Sequence, residues 1–201
     1  MRQCLVIGRP NVGKTLVCLR LAQACGLKWA FIMHELPDGG VRERVLTIRD
    51  AMATLVSAAR YTTVGIQTVG VGMSSAIGQR MVLHDSTGLS EDSHDNALIR
   101  RGMARTLTLM VQSEQIVHVV DAATLDKGAL SPIDSLILDV SKARDVPYTL
   151  VFNKIDAPGA MRQTELYRKS DRRTRPLVVS ALRGQGIDDI QRVLIRTNVV
   201  N

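Results

Sequence analysis

Runs of apolar residues alternate with amphipathic stretches along most of the chain. Five runs are almost continuously apolar and predict buried strands: Gln3–Gly8, Arg80–Asp85, Gln115–Ala122, Tyr148–Lys154 and Pro176–Ala181. Five further stretches are typical of helices: Lys14–Ala24, Asn96–Gln112, Pro132–Arg144, Ala160–Lys169 and Ile187–Arg196. This alternation predicts right-handed β-α-β crossovers and an α/β fold with three layers around a mostly parallel central sheet.

The segment between Gly26 and Gln79 interrupts the alternation. KWAFIMHE (Lys28–Glu35) predicts a strand, and PDGG (Pro37–Gly40) predicts a turn. In Val41–Arg60 the apolar residues recur three or four positions apart, which predicts an amphipathic helix. The glycine-rich VGIQTVGVGMSSAIG (Val64–Gly78) predicts either a loose strand pair or a mobile loop.

Composition narrows the class of protein. A chain of 201 residues with 45% hydrophobic residues predicts one domain with a sizeable core. The net charge of +7 fits either a polyanionic partner or simply a soluble surface. The aromatic content of 3% disfavours a surface that stacks unpaired bases. No apolar run reaches the roughly 18 residues of a membrane-spanning helix.

The three cysteines, Cys4, Cys18 and Cys25, lack the spacing of a metal site. An odd number of cysteines also disfavours a disulfide framework. They are typical of small buried apolar residues in a reducing compartment, so we expect a cytoplasmic location and no secretory leader.

The stretch GRPNVGKT, from Gly8 to Thr15, matches the pattern G-x-x-x-x-G-K-[ST] and lies between a predicted strand and a predicted helix. Gly8 and Gly13 would let backbone N–H groups turn towards phosphate oxygens, where the helix dipole adds to the attraction. Lys14 would reach the terminal phosphates, and the Thr15 hydroxyl would bind Mg²⁺. The loop therefore predicts a nucleoside-triphosphate site, without distinguishing ATP from GTP.

A second motif selects the base. VFNKIDA places Asn153, Lys154 and Asp156 at the end of an apolar strand, where open α/β sheets bind ligands. The Asp156 carboxylate can accept parallel hydrogen bonds from guanine N1–H and the 2-amino group, a pair that adenine does not offer. We expect the Lys154 stem to cover the base and Asn153 to tie this loop to the phosphate loop.

Two shorter motifs complete the set. In HDSTG, Asp85 would hold Mg²⁺ through water and the N–H of Gly88 would face the γ-phosphate. In VVSALRGQG, the N–H of Ala181 would contact guanine O6, and Ser180 would brace the turn.

Together with GQGIDDI (Gly184–Ile190), these motifs resemble those of the translation-factor-related GTPases, and within them the Era-like branch. The resemblance spans Gly8 to Ile190. It implies a P-loop NTPase fold, with a single GTP-binding domain over 1–201 and an inserted or lengthened switch I region at about 27–79. It also implies GTP or GDP and Mg²⁺ as cofactors, and slow Mg²⁺-dependent GTP hydrolysis in a molecular switch.

The site residues expected on this basis fall into three groups. The catalytic residues are Lys14, Asn11, Gly88 and Thr63. The nucleotide-binding residues are Gly8, Asn11, Val12, Gly13, Lys14, Thr15, Leu16, Asn153, Lys154, Asp156, Ser180, Ala181 and Leu182. The metal ligands are Thr15, Asp85 and Thr63.

The chain departs from the family pattern at the first switch. YTTVGIQT resembles the family's Gly-Thr-Thr-Arg-Asp stretch, which makes Thr63 the first candidate for the switch threonine, ahead of Thr62 and Thr68. The alternative, that no residue of this segment contacts Mg²⁺ in the resting protein, stays open.

A second departure concerns hydrolysis. Leu89 stands where many small GTPases have a glutamine that orients the attacking water. Era-like proteins generally carry an apolar residue here and still hydrolyse GTP, and some use K⁺ held partly by the loop asparagine, which corresponds to Asn11. K⁺ near Asn11 is therefore a hypothesis for this chain.

The alternative function is a guanine-nucleotide-binding interaction module with negligible hydrolysis, whose inserted helix docks a partner. The basic stretch YRKSDRRTR (Tyr167–Arg175) is typical either of a solvated loop or of a site for RNA or lipid phosphates. Expected partners are the guanine nucleotide, a ribosome, RNA or protein partner, and a second copy in a nucleotide-dependent dimer.

Overall fold

The computed structural model describes residues 2–35, 40–55, 67–72, 80–90 and 97–196. The strands are β1 (Arg2–Ile7), β2 (Trp29–Glu35), β3 (Val41–Thr47), β4 (Gln67–Gly72), β5 (Arg80–Asp85), β6 (Gln115–Asp121), β7 (Tyr148–Asn153) and β8 (Leu177–Val178). The α-helices are α1 (Lys14–Ala24), α2 (Ile48–Leu55), α3 (Ala97–Gln112), α4 (Pro132–Ala143), α5 (Ala160–Ser170) and α6 (Ile187–Arg196).

The described strands form one eight-stranded sheet in the order β3-β2-β4-β5-β1-β6-β7-β8. Strands β5, β1, β6, β7 and β8 are parallel to one another. Strands β2, β3 and β4 add an antiparallel extension beyond β5. The predicted three-layer α/β fold with a mostly parallel central sheet is confirmed.

Helices cover both faces of the parallel strands. Along β1, Cys4 and Val6 belong to a buried cluster that includes side chains of α1, α2 and α6. Leu5 and Ile7, which point to the opposite face, pack with side chains of α3 and α4. Burial on both faces explains why these strands are almost continuously apolar in sequence.

Most predicted elements are confirmed with small changes of boundary. The helices over Lys14–Ala24 and Ile187–Arg196 and the strand over Arg80–Asp85 have the predicted bounds. The last strand is much shorter than the predicted Pro176–Ala181, because only Leu177 and Val178 pair with β7.

The predicted helix over Val41–Arg60 is wrong in its first part. Val41–Thr47 forms β3, which pairs antiparallel with the whole of β2. Val41 and Val45 are exposed, so their spacing does not mark a buried helical face. Residues 56–60 lie outside the described ranges.

A threonine marks where the shorter helix α2 begins. The N–H of Asp50 donates to Thr47 Oγ1 at 3.1 Å, and Thr47 Oγ1 donates to Asp50 Oδ2 at 2.6 Å. This exchange caps the helix at Thr47. The sequence TIRD carried this start signal, which the longer helical periodicity obscured.

The glycine-rich segment contributes one described strand. β4 lies between β2 and β5 and is antiparallel to both. The flanking residues 61–66 and 73–79 lie outside the described ranges, as do residues 37–39 of the predicted turn at Pro37–Gly40. Among the helices that the structure describes, none combines the length and apolar character needed to cross a membrane.

Candidate functional site

The sequence motifs meet at one edge of the sheet. The phosphate loop follows β1, Asp85 ends β5, and Asn153 ends β7. Because these strands are parallel, their carboxyl ends lie side by side, and Val6 is in register with Asp85. This edge is where open α/β sheets bind ligands.

Tight contacts explain the glycines of the phosphate loop. Gly8 has φ +151°, and a Cβ there would lie 2.1 Å from the carbonyl oxygen of Val119. Gly13 has φ +95°, and a Cβ there would lie 2.4 Å from Asn153 Nδ2. Asn11 takes a left-handed φ of 61°, which asparagine tolerates better than most residues. The loop therefore depends on these residue types at these positions.

Lys14 is a buried cation at the start of α1. Its Nζ donates to the carbonyl oxygen of Arg9 at 2.8 Å. Burial lowers the pKa of Lys14 to about 8, although the Asp85 carboxylate opposes that shift. An anionic ligand beside Lys14 would favour the charged ammonium, so the residue fits a phosphate-binding role.

Thr15 and Asp85 form the part of the site that fits a divalent cation. Thr15 Oγ1 donates to Asp85 Oδ2 at 2.6 Å. Asp85 is buried, and its Oδ1 has no hydrogen-bond partner among the described residues. Burial raises the pKa of Asp85 to about 6, opposed by Lys14 and by the hydrogen bond from Thr15. Oxygen ligands of this kind fit Mg²⁺, which would also favour the ionised carboxylate.

Asn153 joins the phosphate loop to the loop after β8. Its Nδ2 donates to the carbonyl oxygen of Val12 at 2.8 Å, as expected from the sequence. Its Oδ1 accepts the N–H of Ala181 at 3.0 Å. That N–H was expected to face guanine O6, but here it is committed to Asn153.

The Asp156 carboxylate is fixed by the following loop. Ser180 Oγ donates to Asp156 Oδ1 at 2.5 Å and accepts the N–H of Arg183 at 3.2 Å. The hydrogen bond from Ser180 is the main reason why the pKa of Asp156 lies below its usual value. The ionised form of the carboxylate is therefore favoured. The sequence predicted that Ser180 would brace the turn, and its contact with Asp156 was not predicted.

Two residues of this edge were missed by the sequence reasoning. Asp121 ends β6, and its Oδ2 pairs with Lys154 Nζ at 2.8 Å. Its position at the end of an apolar strand was a signal that could have identified it. Arg20 of α1 donates to the carbonyl oxygens of Ala181 and Leu182, and nothing local in the sequence pointed to that contact.

The turn after β5 packs directly on the phosphate loop. The N–H of Leu89 donates to the carbonyl oxygen of Gly8 at 3.1 Å. A Cβ on Gly88 would lie 2.5 Å from the backbone nitrogen of Pro10. The Leu89 side chain is buried in the cluster that includes Leu5 and Ile7. Leu89 is therefore a core residue.

The structure describes some of the remaining expected site residues, while others lie outside the described ranges. Val12 is buried, Leu16 packs at the margin of the core, and Leu182 is 69% exposed. Thr63 and Thr62 lie outside the described residues. Thr68 lies in β4, where its backbone is in register with that of His84.

Curated relatives resemble the chain over nearly its whole length. GTPase Der from Brucella anthropi is 30% identical over 191 residues, which cover 94% of this chain and 32% of Der. The tRNA modification GTPase MnmE from Nitrosococcus oceani is 30% identical over 184 residues, covering 92% of this chain and 31% of MnmE. No protein-family model matches the chain.

Solved structures share the fold. A variant of Era from Aquifex aeolicus bound to GDP and AlF4⁻ superposes with a TM-score of 0.67 and 18% identity, covering 98% of this chain and 57% of Era. In sequence and in fold, the chain matches the Era-like small GTPase domains. Another Era structure, with MgGDPNP and a fragment of 16S ribosomal RNA, also has a TM-score of 0.67 and 18% identity, covering 97% of this chain and 56% of Era.

The match concerns only the part of each relative that aligns with this chain. The chain spans about a third of the length of the curated relatives it matches.

Exchanging Leu89 for glutamine tests whether this position is part of the core. We expect Leu89→Gln to lower the free energy of unfolding by about 2–4 kcal/mol, because an amide would be buried among apolar side chains. The matched control is Leu107→Gln on the exposed face of α3, expected to change it by less than about 0.5 kcal/mol. Urea denaturation measures both. Equal effects of the two exchanges would contradict the core assignment.

Proposed function

We propose that this chain is a GTP-binding domain that binds GTP–Mg²⁺, hydrolyses it slowly and acts as a molecular switch. The observation that carries the proposal is the bridge of Asn153 between Val12 and Ala181. It holds the loop after β1, which would bind the phosphates, against the loop after β8, which would lie beside the base. The names of the curated relatives, GTPase Der and MnmE, support the same activity.

Guanine would be read by the loop around Asp156. The carboxylate would accept guanine N1–H and the 2-amino group, while Ser180 holds it in place. Guanine O6 would share the N–H of Ala181 with Asn153 or take the next N–H, that of Leu182. The Lys154 stem, anchored by Asp121, would cover the base.

Asp156→Asn tests the recognition of guanine. An amide can donate to the 2-oxygen of xanthine but cannot accept both guanine donors. We expect the variant to bind GTP on the order of 100-fold more weakly and to gain affinity for XTP. Titration calorimetry with both nucleotides measures this change. Asp139→Asn on the exposed side of α4 is the matched control, and the proposal fails if both variants bind GTP like the wild type.

Hydrolysis would rely on electrostatics rather than on a side chain that orients water. The Leu89 side chain is buried in the core and offers no polar group to orient water. Lys14 would stabilise charge on the terminal phosphates, and Mg²⁺ would be held by Thr15 and Asp85. K⁺ beside Asn11 would add charge stabilisation, as the resemblance to Era-like proteins implies.

The cation requirement is tested by steady-state GTP hydrolysis in KCl and in NaCl. We expect faster turnover in KCl, a loss of turnover in Lys14→Ala, and no difference between the salts in Asn11→Gly. Glycine is chosen because Asn11 has a positive φ, at which alanine would add strain. Equal turnover in both salts, unaffected by Asn11→Gly, would exclude the role of K⁺.

The elements between α1 and β5 would form the lengthened first switch. They include the β2–β3 hairpin, α2 and β4, and the candidate Thr63 belongs to the same stretch of sequence. In the alternative function, with negligible hydrolysis, a partner would dock on this hairpin and α2 rather than on one long inserted helix. Tight GTP binding without turnover in either salt would favour that alternative.

A basic segment would supply the surface for an RNA partner. Five exposed cations make up this segment: Arg168, Lys169, Arg172, Arg173 and Arg175. Asp171 Oδ1 accepts the N–H groups of Arg173 and Thr174, and its Oδ2 accepts the Tyr167 hydroxyl, so the turn is held in one shape. The low aromatic content favours binding to phosphates of structured RNA over stacking on bases.

The basic segment lies away from the proposed nucleotide site. Helix α5 begins after the carboxyl end of β7 and runs back along the sheet, so the segment lies at the edge opposite Asn153. Its positive charge would therefore bind a polyanion other than the nucleotide. A nucleotide-dependent dimer, in contrast, stays a prediction.

Reversing charges in the basic segment tests the RNA proposal. We expect Arg172→Glu with Arg173→Glu to weaken binding to an RNA hairpin at least about tenfold in fluorescence anisotropy at low salt. The control, Arg42→Glu with Arg44→Glu on β3, makes the same change of net charge at another exposed site. Equal weakening by both pairs would contradict a localised site, and binding to anionic vesicles but not to RNA would assign the surface to a membrane.

A further inference from the structure

Arg20 links helix α1 to the loop after β8, which holds the Asp156 carboxylate through Ser180. It lies on α1, which Lys14 begins. Its Nε donates to the carbonyl oxygen of Ala181 at 3.0 Å, and its Nη2 donates to that of Leu182 at 3.0 Å. Its Nη1 donates to Gln23 Oε1 at 2.9 Å, which orients the guanidinium from the same helix.

The peptide groups of Ala181 are thereby fixed on both sides. The N–H donates to Asn153 Oδ1, and the carbonyl oxygen accepts from Arg20. The preceding residue, Ser180, holds the Asp156 carboxylate. A shift of this turn would therefore also move Ser180, which holds the Asp156 carboxylate.

We infer that Arg20 is a positioning residue for guanine recognition, because it holds the Ala181–Leu182 turn in the shape that the base requires. The inference rests on the proposed guanine site. Two carbonyl oxygens need two donors at a fixed separation, which the planar guanidinium provides. A lysine at this position would keep the charge but could not reproduce both contacts with the same geometry.

The inference predicts a particular pattern of affinities. Arg20 acts on the Ala181–Leu182 turn and not on the phosphate loop. Loss of its contacts should therefore weaken the binding of GDP and of GTP by the same factor. The gain in affinity from the γ-phosphate stays constant. Discrimination between GDP and IDP, which lacks the 2-amino group, decreases because Asp156 is held less firmly. A general disturbance of α1 would instead alter the contribution of the phosphates, since Lys14 and Thr15 lie on the same helix.

The test measures affinities and dissociation rates of GDP, GTP and IDP for the wild type, Arg20→Lys and Arg20→Gln. We expect GDP to dissociate on the order of tenfold faster from both variants, with a smaller ratio of GDP to IDP affinity. Arg192→Lys is the matched control, because Arg192 is an exposed arginine on α6 that pairs with Asp189. Thermal unfolding without nucleotide checks that each variant is folded.

The outcomes separate this inference from the proposed function. A wild type that does not bind GDP would overturn the guanine site and this inference with it. A wild type that binds GDP, together with folded Arg20 variants whose dissociation rates and base discrimination match those of Arg192→Lys, would overturn only the role of Arg20. A variant that loses affinity for GTP more than for GDP would also overturn it, since the effect would then lie at the phosphates.

Discussion

The bridge made by the Asn153 side chain is the contact on which the rest of the site depends. One amide group satisfies the carbonyl oxygen of Val12 and the N–H of Ala181, and it does so while almost fully buried. A buried amide that lost either partner would carry an unsatisfied polar group. The contact also explains Gly13, where a Cβ would collide with Asn153 Nδ2. The loop after β1 and the loop after β8 are therefore parts of one packed unit.

The second constraint is the burial of two opposite charges beside that unit. Lys14 and Asp85 are both withdrawn from water, which lowers the pKa of the lysine to about 8 and raises that of the aspartate to about 6. Each shift reflects a charged form that burial disfavours. A phosphate beside Lys14 would favour the charged ammonium, and a cation beside Asp85 would favour the ionised carboxylate. Each would therefore oppose the pKa shift that burial causes. A metal–nucleotide complex would supply both partners, a phosphate for Lys14 and a cation for Asp85.

Sequence alone was sufficient where the physical signal was local. The parallel strands are apolar because both faces are covered, and the motif residues follow them directly, so their meeting at one edge could be predicted. The prediction of a helix over Val41–Thr47 was wrong because this segment is an edge strand. Val41 and Val45 are exposed there, and their spacing of four residues also suits a helix. The contact of Arg20 with the turn after β8 joins residues far apart in the chain, and no periodicity encodes it. Strand ends in the sequence therefore predict where a candidate site lies. They do not predict distant residues such as Arg20 that hold its loops in place.

The measurement that tests the account most directly is calorimetric titration of the wild-type protein with GDP and with ADP in the presence of Mg²⁺. The two nucleotides share the phosphates and differ in the base, so the comparison isolates recognition by the loop around Asp156. The account predicts that GDP binds at least about 100-fold more tightly than ADP. Equal affinities for GDP and ADP, or the absence of binding by both, would contradict it.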